Sequence, residues 1–162
     1  NTLVEVIEGV VTEQNGNALL EVSELHPGDH RVGEEGIPVR SYTVDTLMEE
    51  RRRPHVSLIK IDVQGTEERV LDGARITLER CRPVIFIEVH DASLRKFQSS
   101  AKRLLGRLAN SGYSLHTLNN NGISTPMSPD EAERMLGPSE NFADFLCLPR
   151  GKGGEWRLQS GQ

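Results

Sequence analysis

The run Leu58-Ile59-Lys60-Ile61-Asp62-Val63-Gln64-Gly65-Thr66-Glu67 joins an apolar strand, an acid at the strand's exit, a glycine turn and the opening of a helix. A strand that leads directly into a helix is the unit from which parallel sheets are built, because parallel neighbours need a crossover connection. In open α/β sheets ligands bind beyond the carboxyl ends of such strands, so Asp62 is better placed to act than to pack. The pattern recurs at Val84-Ile85-Phe86-Ile87-Glu88-Val89-His90, again with titratable groups at the exit.

The rest of the chain follows from this unit. Val56 to Val63 is nearly continuous apolar, as a strand covered on both faces should be. A helix is expected from about Thr66 to Arg80, with Val70, Leu71, Ala74 and Leu78 on one stripe, Thr66 as its N-cap, and Glu67 and Glu68 in its first turn. Pro83 opens the next strand, and Ser93 caps a long helix carrying Leu94, Phe97, Ala101, Leu104, Leu105 and Leu108, which Gly112 ends. Tyr113 to Leu118, a small acidic helix from Pro129 to Leu136, and a last strand from Phe142 to Leu148 complete the series. This order predicts a mostly parallel sheet with helices on both faces and a last strand entering antiparallel, in a reversed edge hairpin.

Before Pro54 the pattern is β-rich. Leu3 to Val11 half-alternates up to Thr12-Glu13 and the Asn15-Gly16 turn, and Ala18 to Val22 is expected to return as a hairpin. His26 to Gly36 reads as a surface loop, Ile37 to Val44 as a strand, and Asp45 as the cap of a short helix over Thr46 to Arg52. One domain over residues 1–150 with a flexible polar tail from 151 to 162 fits a length of 162 residues.

Charge and composition exclude several classes. A formal net charge of −5 argues against a general nucleic-acid binder, and Arg51-Arg52-Arg53 sits between acids and a proline as a solvated turn. No apolar run is long enough to span a membrane and no signal peptide is visible, so a cytoplasmic location is expected. Cys81 and Cys147 lack metal-ligand spacing and read as buried thiols; His26, Asp29, His30 and Glu34 read as a surface loop without metal spacing.

Four residues stand out for chemistry. Asp62 can orient a ligand hydroxyl, accept its proton or bind a cation, and Glu67 either reaches the same cleft or serves its helix dipole. Glu88 and His90 stand at alternate spacing, so both point to one face of their strand beside Asp62, an arrangement suited to acid/base work or a metal. Lys60 is taken as a structural or electrostatic partner that snorkels to an edge.

Lys60-Ile61-Asp62-Val63-Gln64-Gly65-Thr66-Glu67, then Val70-Leu71-Asp72-Gly73-Ala74, Arg82-Pro83 and Glu88-Val89-His90, resemble FkbM-type methyltransferases. Val10-Val11 with Asn15-Gly16, and Val39 with Val44-Asp45-Thr46-Leu47, extend the resemblance upstream, so that it covers about residues 3 to 148. The resemblance implies a class I, Rossmann-like α/β fold. It also implies methyl transfer from S-adenosyl-L-methionine to a hydroxyl of a sugar, polyketide or other secondary metabolite, the partner being a small-molecule or glycan acceptor. Asp62 would then lie beside donor and acceptor, Glu88 and His90 on the acceptor side, and Thr12 and Glu13 near the adenine.

Two departures qualify that likeness. Gln64 stands where such proteins usually carry glutamate, and Thr66 where they carry alanine. The Gly-rich turn and the acid that hold the cofactor in the family have no counterpart here. Of the family's strand order 3-2-1-4-5-7-6, strands one and two are therefore expected to be missing. The expectation is a carboxyl-terminal part of a longer protein, or a chain without independent cofactor affinity, with an exposed apolar edge along Val56 to Val63. A non-catalytic methyltransferase-like binding domain is the main alternative, and a metal-dependent hydrolase using Asp62, Glu88 and His90 ranks last.

Overall fold

A computed structural model describes residues 4–23, 30–52, 55–119, 122–137 and 141–151. In chain order the elements are β1 (Val10–Val11), β2 (Gly16–Glu21), β3 (Arg31–Gly33), β4 (Ile37–Tyr42) and α1 (Val44–Glu50). There follow β5 (Leu58–Ile61), α2 (Glu67–Asp72), α3 (Arg75–Cys81), β6 (Val84–His90), α4 (Asp91–Lys96) and α5 (Ala101–Asn110). The series closes with β7 (Tyr113–Asn119), β8 (Gly122–Ile123), α6 (Pro129–Leu136) and β9 (Phe142–Pro149).

These strands form two mixed sheets, ordered β1-β4-β2-β3 and β5-β6-β9-β7-β8. The expectation of a mostly parallel sheet is therefore corrected. Among the described residues only β5 with β6 and β1 with β4 run parallel, and the other pairings are antiparallel. The last strand is antiparallel as expected, but it lies inside the sheet rather than in an edge hairpin: β9 inserts between β6 and β7 and pairs with both. Insertion satisfies both of its backbone edges, which an edge position would leave half open.

Register fixes the faces. Ile59, Ile61, Ile85, Ile87, Phe145, Cys147 and Leu115 share one face, and all but the half-buried Ile59 are fully buried. The apolar stripe of α5, Leu104, Leu105 and Leu108, joins this cluster with Ala132 and Leu136 of α6. The opposite face carries Leu58, Lys60, Glu88 and Phe142, of which Leu58 is 60% and Phe142 67% exposed. Burial on both faces of the Val56 to Val63 strand does not occur; along β5 it alternates, and Ile61 alone is buried.

Local expectations are corrected at several joints. Ala18 to Val22 does not return on the first strand; β2 pairs with β3 and β4, and β1 lies parallel to β4. Part of the expected 26–36 loop is strand β3, while residues 24–29, with His26 and Asp29, lie outside the described residues. The cap of α1 is Thr43, whose side chain accepts the Thr46 N–H, leaving Asp45 free for another role. The expected helix from Thr66 to Arg80 is divided at Gly73-Ala74, and the one from Ser93 is divided between α4 and α5, with Ser100 capping the second part. The small helix Pro129–Leu136 stands as expected, with a capping box formed by Ser128 and Glu131. Residues 152–162, and with them most of the expected tail, lie outside the described residues.

The break at Gly73 joins the two sheets. A Cβ at Gly73 would lie 2.1 Å from the Thr12 carbonyl oxygen, so only glycine lets the β1 exit approach the helix here. Across the same joint the Asp45 N–H donates to the Gly73 carbonyl at 2.9 Å. Asp45 then accepts from the Ile76 and Thr77 N–H groups and the Thr77 hydroxyl at 2.9, 2.8 and 2.8 Å, capping α3 from a distant segment.

Candidate active site

Asp62 follows the last residue of β5, and parallel pairing of β5 with β6 brings it to the same end of the sheet as Glu88. Between them stands Gln64, held at φ +57 by the turn. Its side-chain Nε2 donates to Asp62 Oδ1 and to Glu88 Oε1, each at 3.3 Å. Lys60 Nζ donates to the other Asp62 oxygen at 2.7 Å. The Lys60 ammonium is raised in pKa first by this bond, and Asp62, Glu88 and Asp144 add to the attraction. Glu88 faces Asp144 across the β6–β9 pair, a like-charge juxtaposition that Lys60 and Gln64 offset.

Gly65, next in the turn, has φ +110 and packs so closely that a Cβ would meet the Ser93 carbonyl at 2.7 Å and the Phe97 ring at 2.9 Å. Its N–H donates to Glu67 Oε1 at 2.9 Å. Glu67 is 2% exposed and its Oε2 has no hydrogen-bond partner among the described residues. Burial pushes its carboxyl pKa up; the bond from the Gly65 N–H counters this, while the negative Asp62 and Glu88 add to the rise. Glu67 is spent on the Gly65 turn at the opening of its own helix.

His90 shares a face with Glu88, as their spacing predicts. Its Nδ1 lies 2.7 Å from the Ser93 hydroxyl, and its Nε2 is buried without a partner among the described residues. Ser93 therefore orients the imidazole rather than opening a helix. Glu67 Oε2 and His90 Nε2 are thus both buried polar atoms without a hydrogen-bond partner among the described residues.

Thr12 and Glu13 leave β1 on the other sheet. Thr12 is buried and its hydroxyl donates to the Gln14 carbonyl at 2.9 Å while accepting the Gln14 N–H, so its polar groups are spent within its own turn; Glu13 is exposed. A cavity of about 770 Å³ lies between the small sheet and the helices, with Glu34, Arg69, Lys96 and Phe97 in its wall. Among the described residues no group of three or more His, Cys, Asp or Glu side chains is arranged to hold a metal ion, which leaves the hydrolase reading without a donor set.

Gln64 as the bridge and Asp144 as a neighbour are not among the residues that the sequence singles out. Gln64 was visible only as a departure from the usual glutamate, and Asp144 becomes relevant only through the β6–β9 register. Cys147 is buried as expected, its thiol pushed up to about 12 by burial, whereas Cys81 is only half-buried.

A family model described as the methyltransferase FkbM domain matches residues 4–115, which include every one of these candidate residues except Asp144. The chain belongs to the FkbM methyltransferase domain family. No match is found among curated proteins or among solved structures. No described helix is long and apolar enough to cross a membrane.

Proposed function

We propose that this chain is the acceptor-handling part of an S-adenosyl-L-methionine-dependent O-methyltransferase, acting on a hydroxyl of a sugar, polyketide or similar secondary metabolite. The observation that carries the reading is the Asp62–Gln64–Glu88 bridge at the carboxyl ends of adjacent parallel strands, inside the segment matched by the family. The order β5-β6-β9-β7 supports a Rossmann-like class I assignment, because it reproduces the 4-5-7-6 half of that fold's sheet.

The methyl donor, when bound, supplies a methyl group already activated on a sulfonium. The described residues do not form a complete cradle for it: the Thr12 hydroxyl is spent on Gln14, and both Asp62 oxygens are engaged by Lys60 and Gln64. The chain's own share is the acceptor. A hydroxyl that displaces the long 3.3 Å Gln64 contact donates to Asp62, which fixes the oxygen's orientation and draws off proton density. Lys60, a firm cation, balances the carboxylates as that hydrogen bond forms. His90, held by the Ser93 hydroxyl, would line the acceptor side.

The second reading, a non-catalytic methyltransferase-like binding domain, is favoured by the internal satisfaction of Thr12. Incubation with methyl-labelled donor at roughly millimolar concentration, matched to the weak binding expected, separates the two readings. O-methylated product is expected from a sugar or polyketide acceptor, with Asp62→Asn and Glu88→Gln each lowering the rate about 10²-fold. Absence of transfer to every hydroxyl acceptor, or full activity in both variants, contradicts the proposal.

A further inference from the structure

We infer that the chain carries a second small-molecule site, at the opposite end of the five-stranded sheet from Asp62, built to take a small organic anion with an apolar body. Register locates it. β9 begins with Phe142 opposite His90 and ends with Pro149 opposite Tyr113, so Tyr113 lies at the end of the sheet away from Glu88 and His90.

There a cavity of about 270 Å³ is floored by Leu71, Leu78 and Leu108 and bounded by Tyr113. Tyr113 is 1% exposed, and its hydroxyl is buried with no hydrogen-bond partner among the described residues. Burial raises its pKa, against the opposing charge of Arg82, so the phenol stays a protonated donor. The hydroxyl is turned into the protein, so Tyr113 serves the cavity as a wall and as the ring against which Arg82 is seated.

The rim supplies matching charge. Arg75, Arg82 and Arg107 line the cavity against one acid, Glu79. Arg82 is held in place: it donates to the Ser111 and Gly112 carbonyls at 2.6 and 2.8 Å, and its guanidinium stands 4.9 Å from the centre of the Tyr113 ring. Arg107 pairs with Asp72 at 2.7 Å, and Arg75 has no ion pair among the described residues. Guanidinium groups are donors only, so the complementary ligand brings acceptor oxygens and negative charge at one end. The leucine floor takes its apolar part, and the volume limits it to fragment size.

The test titrates the chain with benzoate and with its neutral counterpart, benzyl alcohol, while recording amide spectra. Benzoate is expected to give saturable shifts at Leu71, Leu108, Ser111 and Tyr113, with Asp62 and Glu88 unmoved, and to bind at least ten-fold more tightly than benzyl alcohol. Arg107→Gln, at a partly exposed position on the rim, should weaken benzoate at least five-fold. Arg75→Gln, a change at an exposed position, should weaken it further. Equal affinity for benzyl alcohol, no saturable shift at these residues, or benzoate affinity unaltered in both variants would overturn the inference. Methyl transfer enters none of these readouts, so its absence leaves them intact.

Discussion

Glu67 is a carboxyl buried within reach of two other negative groups, and only one of its oxygens is hydrogen-bonded. Its pKa is raised on folding, so the native state holds its proton more tightly than the unfolded chain does. Stability from this residue is then greatest below the ordinary carboxyl range, and falls as pH rises from there through the raised native value. Glu67→Gln keeps an oxygen to accept the Gly65 N–H and removes the charge. The variant should be more stable than the parent at pH 7, by on the order of 1 kcal/mol, with the difference vanishing near pH 4. Urea denaturation at the two pH values measures this, and a variant less stable at pH 7 would refute it. Asp62, Glu88 and His90 were readable from sequence because strand periodicity fixes which side chains share an end and a face. Gln64 was not, since its bridging depends on a positive φ and on the spacing between two strands, neither of which has a local signature.

Helices and their joints show where periodicity misleads. Val70, Leu71, Ala74 and Leu78 continue one helical stripe across Gly73, so the pattern alone gives a single helix. The two helices divide at Gly73, where the Thr12 carbonyl, from a segment far away in the chain, approaches more closely than any side chain would allow. Asp45 is the same kind of case. Local rules assign it as a cap of its own helix, yet it caps α3, and Thr43 takes the local role. The helix Pro129–Leu136 was legible to the residue because proline, capping box and terminal glycine are all local signals. Asp45→Ala should cost about 2 kcal/mol, the upper range for loss of a cap, because three donors lose their acceptor together. Chemical denaturation measures it; a cost below a few tenths of a kcal/mol would show that α3 does not depend on this anchor.

At the scale of the whole molecule, two mixed sheets meet at the Gly73 joint, and β5 ends the larger one with no strand beyond it among the described residues. The sequence expectation of an exposed apolar edge is met in part. Leu58 is exposed, but Lys60 on the same face supplies the kind of charge that blunts pairing between edges. Leu58→Lys should reduce concentration-dependent self-association in light scattering while leaving the unfolding midpoint unchanged, since an exposed side chain contributes within about 0.5 kcal/mol. Equal association by parent and variant would clear this edge of the role. The mixed topology was not legible from the apolar runs, which do not encode strand direction; the inner position of β9 followed only from the strand order that the family resemblance implies.

On the function proposed above, these residues handle the acceptor and do not by themselves hold the methyl donor. Calorimetric titration of the chain with S-adenosyl-L-methionine tests it most directly. No saturable heat is predicted below about 100 μM donor, whereas one-to-one binding with a dissociation constant near 1 μM would contradict the claim.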